Sequence, residues 1–153
     1  FKQKTAYEIM PSLVGSEMCI RDRITVGKRK KAIARCTVKK GNGRIFVNNI
    51  PVENKYTEVQ RMLITEPLML LDTNDWKSYD FYVNVNGGGI SGQAQAVRQS
   101  IAKMLVELFG KNVKKMFIAY DRNMLIFDPR RTEPHKPSRS SQGPRRRKQL
   151  SKR

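Results

Sequence analysis

The chain has one histidine among 153 residues, only two cysteines and no uninterrupted apolar run of eighteen residues. Each shortage excludes a class of function. His135 lies between Pro134 and Lys136, where no scaffold fixes its tautomer or aims it for proton transfer. Cys19 and Cys36 are far apart, with no CxxC pair and no neighbouring histidine. That argues against a zinc site or a disulfide framework and fits a reducing compartment. Without a long apolar run no helix spans a membrane, and no lipidation motif or long basic amphipathic helix points to a membrane surface. No nucleophile–base pair, metal-ligand cluster or Walker sequence is visible. The expectation is a protein that is not an enzyme, with no cofactor and no metal.

Acid is the other scarce commodity: 13 Asp and Glu face 31 Lys and Arg, a net charge of +18. Solubility needs far less, and such a charge repels itself in the compact state. A polyanionic partner, nucleic acid, accounts for it. The excess is uneven: +1 over residues 1–23, +8 over 24–128 and +9 over 129–153. These segments are read as a non-native or disordered N-terminal stretch, a globular domain and an extended basic tail. The first stretch begins with Phe1 and resembles a translated sequencing-adaptor artefact, so it is set aside.

In the body, Ala32 to Val38 alternates like a half-buried strand. Gly41-Asn42-Gly43 tolerates a turn, and Arg44 to Asn48 reads as the return strand of a hairpin. Thr57–Ile64 and Pro67–Leu71 read as two short helical pieces, because a proline biases the residue before it away from helix. Asp80–Asn86 is a strand with Phe81, Val83 and Val85 on one face. The clearest helix follows, with an apolar stripe of Ile90, Ala94, Val97, Ile101, Leu105 and Leu108. Gln93, Gln95, Arg98, Gln99 and Lys103 occupy its polar face, and Gly110 stops it. A second helix covers about Lys111 to Tyr120, and Met124–Phe127 reads as a final short strand.

The tail holds four prolines, no aromatic residue and one large aliphatic, Leu150. It buries too little to fold alone and, extended, spans about 80 Å. Without aromatics it tracks phosphates rather than stacking on bases.

Two motifs carry the chemistry. From Lys28 to Arg44 there are eight basic residues and no acidic one. Like charges across a sheet repel, so phosphate contact is the better reading than a merely soluble edge. Gly87-x-Gly89-x-x-Gly92 matches a dinucleotide fingerprint, but the chain lacks the acidic partner and the repeating βα units such a site needs. A KH clamp fits poorly too, since a strand and not a helix precedes the glycines. What remains is a turn needing positive φ, or close approach of backbone to an RNA phosphate at a helix N-terminus.

Together the motifs resemble a family. They are Gly27-Lys-Arg-Lys-Lys-Ala-Ile-Ala-Arg35, Gly43-Arg-Ile, Glu66-Pro-Leu, Val83 through Gln93 with its glycine run, Ala94 to Ala102, Asp128-Pro-Arg-Arg and the basic end. In this order they resemble the universal S-nine family of small-subunit ribosomal proteins, with an archaeal or eukaryotic type of body and a bacterial type of ending. The resemblance implies an α+β fold of the ribosomal S-five second-domain type, with a left-handed βαβ crossover. We expect about four strands with helices on one face. It also implies a cytoplasmic place in the ribosome, in the head of the small subunit, beside neighbouring head proteins. Small-subunit rRNA is then expected at Lys28, Arg29, Lys30, Lys31, Arg35, Gly87, Gly88, Gly89 and Gln93. In the tail it is expected at Arg130, Arg131, Lys136, Arg139, Arg145, Arg146, Arg147 and Lys148. P-site tRNA is expected at Ser151, Lys152 and Arg153. A free RNA chaperone or DNA-compacting protein would share the charge, and co-sedimentation with small subunits in moderate salt separates them.

Binding to rRNA fragments is expected to weaken steeply with salt, by roughly 0.7–0.9 log unit per neutralised phosphate per log unit of salt. A nearly flat log–log plot from filter binding would sink the electrostatic account.

Overall fold

The computed structural model describes residues 23–71 and 74–132. It is a mixed α+β domain built on a five-stranded sheet of order β1-β2-β5-β3-β4. The strands are β1 (Ile24–Arg29), β2 (Ala32–Lys40), β3 (Ile45–Val47), β4 (Ile50–Pro51) and β5 (Tyr79–Asn86). The helices are α1 (Val52–Lys55), α2 (Glu58–Met69), α3 (Ile90–Phe109) and α4 (Lys111–Tyr120). One more strand is present than the four expected: β1 and the short β4 are added at the two edges, and the expected strand at Met124–Phe127 is not formed.

The alternating patterns set the core. Ala34, Cys36 and Val38 of β2 pair across the sheet with Val85, Val83 and Phe81 of β5, and these six and Ala32 are buried. Ala94, Val97, Ile101 and Leu105 of α3 pack onto this face. The predicted stripe is therefore correct in its middle, but Ile90 is 62% exposed at the helix start. The predicted polar face of α3 is not a solvent face. Gln99 and Ser100 are buried, and Arg98 is mostly covered. The reason is that α3 is clasped by β1 and α2 as well as the sheet.

The expected hairpin between β2 and the return strand is overturned. β2 and β3 do leave and return through Gly41-Asn42-Gly43, but β5 lies between them, antiparallel to β2 and parallel to β3. The hairpin partner of β2 is β1. Asp80, at the start of β5, explains the insertion. Its Oδ1 accepts the backbone N–H groups of Asn42 at 2.8 Å and Arg44 at 2.9 Å. Gly41 has to be glycine there, since a Cβ would lie 2.2 Å from the Asp80 carboxyl carbon. Burial raises the Asp80 pKa, but the amides of Arg44 and Asn42 and the Arg44 charge outweigh it and hold the carboxyl below its ordinary value. Beyond the end of β3, Asn48 continues the ladder with its side chain. Its carboxamide donates to Val85 O at 3.1 Å and accepts from Val85 N at 2.7 Å.

Two further expectations change. The separate helical pieces form one helix, α2, with Pro67 inside it and buried. Pro67 cannot donate to the Leu63 carbonyl four residues back, a local cost that the helix bears while the buried ring fills space in the core. Met124–Phe127 is not a strand; a 3-10 turn covers Arg122–Met124, and only Asp128 makes an isolated bridge, to Arg29. Gly110 does end α3, at φ +86. Cys36 is fully buried, and burial pushes its thiol up to about 12, so it is a packing residue.

Replacing Asp80 by Ala should cost about 2–4 kcal/mol, the loss of several charge-assisted bonds. Gly41→Ala should act in the same direction. Because the folded pKa of Asp80 is depressed, its stabilisation is complete above the ordinary carboxyl value of 3.8 and fades as pH falls through the lower folded value. Thermal melts of wild type and Asp80→Ala should therefore converge in acid; a gap independent of pH would rule out the ionic part.

Candidate nucleic-acid interface

The interface is built outward from the turn between β1 and β2. Lys30 and Lys31 form this turn, with Lys30 held at φ +52. Lys28, Lys30, Lys31 and Arg35 are exposed, and none has a carboxylate partner among the described residues. They are bare cations on a rigid hairpin, which suits phosphate contact.

Arg29 is placed differently. Its side chain is 16% exposed and pairs with Asp128. Its Nε donates to Gln95 Oε1 at 2.6 Å. Asp128 in turn accepts the backbone N–H of Arg130 at 2.9 Å and its Nη2 at 2.7 Å. Those Arg130 bonds, then the charges of Arg130 and Arg29, hold the Asp128 carboxyl down at about 2. The start of the basic tail is thus clamped beside the hairpin. Arg130 itself keeps 77% of its side chain in solvent, and exposed Arg131 lies over the Phe127 ring at 5.6 Å.

The glycine run sits directly against the same turn. Gly87 has φ +75, and a Cβ on it would be 2.6 Å from Lys31 O. Gly88 has φ +70, and its Cβ would be 2.9 Å from Ala32. Both positions demand glycine for backbone reasons. Gln93, predicted as a contact residue, braces this loop by donating from Nε2 to Gly87 O at 3.2 Å. Gly89 is unlike its neighbours: it caps α3 with φ −94, and a Cβ there would meet nothing within 4 Å. It opens onto a cleft of about 470 Å³ lined by Arg29, Lys30, Gln60, Gly88, Gly89, Ile90, Ser91, Gly92 and Gln95. No side chain caps the α3 N-terminus, and its first turn holds no acid. Free amides, the helix dipole and Lys30 converge there, an arrangement that favours an anion.

Lys39 and Arg44 of the expected phosphate-binding run form a second cationic surface, whose aromatic members the sequence alone does not mark. The outer face of the sheet carries a row in which Lys39 Nζ lies 5.4 Å from the centroid of Tyr82, Tyr82 stacks on Phe46 at 5.2 Å, and Arg44 lies 5.7 Å from Phe46. Tyr82 and Phe46 are cross-strand neighbours in register, and Arg35 and Asn84 are the next such pair. The alternation of β2 already sends Arg35 and Lys39 to the same side, but placing Phe46 beside them needed the strand order. Lys136, Arg139, Arg145, Arg146, Arg147, Lys148, Ser151, Lys152 and Arg153 lie outside the described residues. Among the described residues there is no group of three or more side chains able to hold a metal, and no helix long and apolar enough to cross a membrane.

Comparison with known proteins adds an independent observation. Residues 27–153 match the family model described as ribosomal protein S9/S16. Small ribosomal subunit protein uS9 of Methanococcus maripaludis strain S2 is 45% identical over 128 residues, 83% of this chain and 95% of that protein. The protein of the same name from Methanococcus vannielii is 46% identical over the same length. That from Desulfurococcus amylolyticus is 50% identical over 119 residues, 77% of this chain and 84% of the relative.

The geometry separates two kinds of glycine. Gly87→Ala should destabilise the domain by roughly 1–3 kcal/mol through strain and collision with the hairpin turn. Gly89→Ala should cost under about 1 kcal/mol, the difference between helix caps. Any larger loss of RNA affinity in Gly89→Ala, read beside its melting curve, then reports on the cleft itself. Equal affinity in this variant and wild type would remove the cleft from the interface.

Proposed function

The chain belongs to the ribosomal protein S9/S16 family, and from that premise we propose that it is a structural, non-enzymatic protein of the small ribosomal subunit in the cytoplasm. The observation that carries this reading is the family match across residues 27–153. The unpaired cations around the β1–β2 turn support it from the side of chemistry.

In this reading the domain binds small-subunit rRNA in the head through Lys28, Lys30, Lys31, Arg35 and the cleft at Gly89. Arg29, Gly87, Gly88 and Gln93 contribute by holding that surface in shape. Helices stacked on one face of the sheet support the S-five second-domain type of fold, with the left-handed crossover running from β3 through α2 to β5. Lysine and arginine displace counterions from phosphate, so affinity is gained mainly from released salt. Arg130 and Arg131 start the tail along rRNA. Lys136, Arg139 and the Arg145–Lys148 cluster extend the path, and Ser151, Lys152 and Arg153 reach P-site tRNA. A phosphate-tracking tail orders as it binds, and its entropy cost is met by the contacts it makes.

Deleting Lys152 and Arg153 should leave assembly of the subunit intact and weaken P-site tRNA binding severalfold. Unchanged tRNA affinity in ribosomes carrying the truncated chain would rule out the tail's role. Replacing Lys30 and Lys31 together by Ala should lower the salt slope of rRNA binding by about 2.

A further inference from the structure

The groove between α2 and the β3–β4 ribbon has a chemistry that RNA binding does not use. Its volume is about 370 Å³, and Phe46, Pro51, Val52, Leu68, Met69 and Trp76 form mainly apolar walls. Nucleic-acid backbone gains from cations and little from such walls. Apolar anchors of a protein fill pockets of this kind. Met69 stands at the groove with 76% of its surface in solvent, on a helix that also exposes Val59 and Met62. Methionine adapts its shape to a partner at small entropic loss of fit.

Charge at the groove narrows the partner further. Arg44, Arg61 and Glu53 also line it. Arg44 is engaged over Phe46 and toward Asp80, 3.6 Å away. Arg61 has no carboxylate partner among the described residues, and its Nε is shut off from solvent with no acceptor. The nearby Thr65 hydroxyl donates to Arg61 O at 3.0 Å and does not accept from that Nε. The side chain is half-buried rather than sealed, so the rest of its guanidinium is open to a carboxylate brought by a partner.

We propose that this groove is a docking site for an apolar segment of a neighbouring protein of the small subunit, one of whose acidic side chains pairs with Arg61. The inference rests on the ribosomal reading above and assigns the groove of α2 and the β3–β4 ribbon to protein rather than RNA. The anchoring side chains enter between Phe46, Leu68 and Trp76. The carboxylate closes over Arg61.

The test uses the full chain carrying the photo-crosslinker p-benzoylphenylalanine at Met69, taken up into assembled small subunits, irradiated and read by mass spectrometry. The expected product is a crosslink to one protein segment that holds apolar residues and an Asp or Glu. Arg61→Glu should abolish it, and changing the partner's carboxylate to Arg should restore it. Arg61→Gln keeps the size of the side chain and should cut the yield severalfold while co-sedimentation with the subunit is unchanged, which guards against a folding defect. A crosslink to rRNA, no crosslink, or full yield in Arg61→Gln would overturn the proposal while the ribosomal reading stands. Failure of the wild-type chain to co-sediment would overturn both.

Discussion

At Gly27 strand β1 lies against helix α3 with no side chain between the two backbones, and the rest of the molecule depends on that contact. A Cβ at Gly27 would fall 2.0 Å from Ala96 O and 2.7 Å from Ser100 N, so only glycine permits it. Once the backbones touch, α3 side chains serve the open edge of the sheet. Gln99 accepts from Lys28 N at 2.7 Å, and Lys103 Nζ donates to Val26 O at 2.8 Å. Buried Thr25 donates to Ser100 O at 2.8 Å. An edge strand with satisfied backbone groups does not invite pairing with another chain. Burial, then the nearby charge of Lys28, lower the Lys103 pKa, a cost accepted to close this edge. The two elements run in opposite directions, so the turn at Lys30 and Lys31 arrives at the N-terminus of α3. The basic turn, the glycine loop and the free helix amides are neighbours for this reason.

Four of the acids among the described residues are spent on architecture. Asp80 holds the turn before β3. Glu66 of α2 and Asp121 beyond α4 both take Arg98, at 2.7 and 3.0 Å, and Tyr120 donates to Glu66. Asp128 joins Arg29 to Arg130. The Arg98 pairs are mostly covered and fix the relative positions of helices, where breaking one partner would leave a charge stranded. Such use of acid leaves the cations of the β1–β2 turn without neutralising neighbours. Net charge by itself says only that a polyanion is favoured; the pairing pattern says where it meets the protein.

Two faces of the domain therefore differ in kind. The turn, cleft and outer sheet row are cationic and suited to phosphate. The α2 groove is apolar with one unsatisfied guanidinium. A protein packed among RNA and other proteins needs both surfaces; they adjoin at α2, where Gln60 borders the cleft and Arg61 the groove, and they share Phe46 and Arg44.

Much was legible in the residues alone. Alternation marked β2 and β5, the 3.6-residue period marked α3, Gly110 marked its end, and the charge surplus marked a polyanionic partner. Those signals are local: each is written within a few residues and survives whatever the chain does elsewhere. Strand order is not local. Nothing within Gly41–Gly43 says that β5 enters between the strands it joins; that follows from the Asp80 carboxylate, distant in sequence, gripping the turn. Likewise Arg29 reads as one more basic residue of its cluster until Asp128 and Gln95 are found beside it. Gly87, Gly88 and Gly89 look equivalent as letters, yet two are fixed by contact with Lys31 and Ala32 and the third faces open space. The sequence by itself determined the types of the main elements β2, β5, α3 and α4, the sign of the partner and the family. The tertiary structure alone decided which cations are free, because an ion pair depends on distance in space and not along the chain.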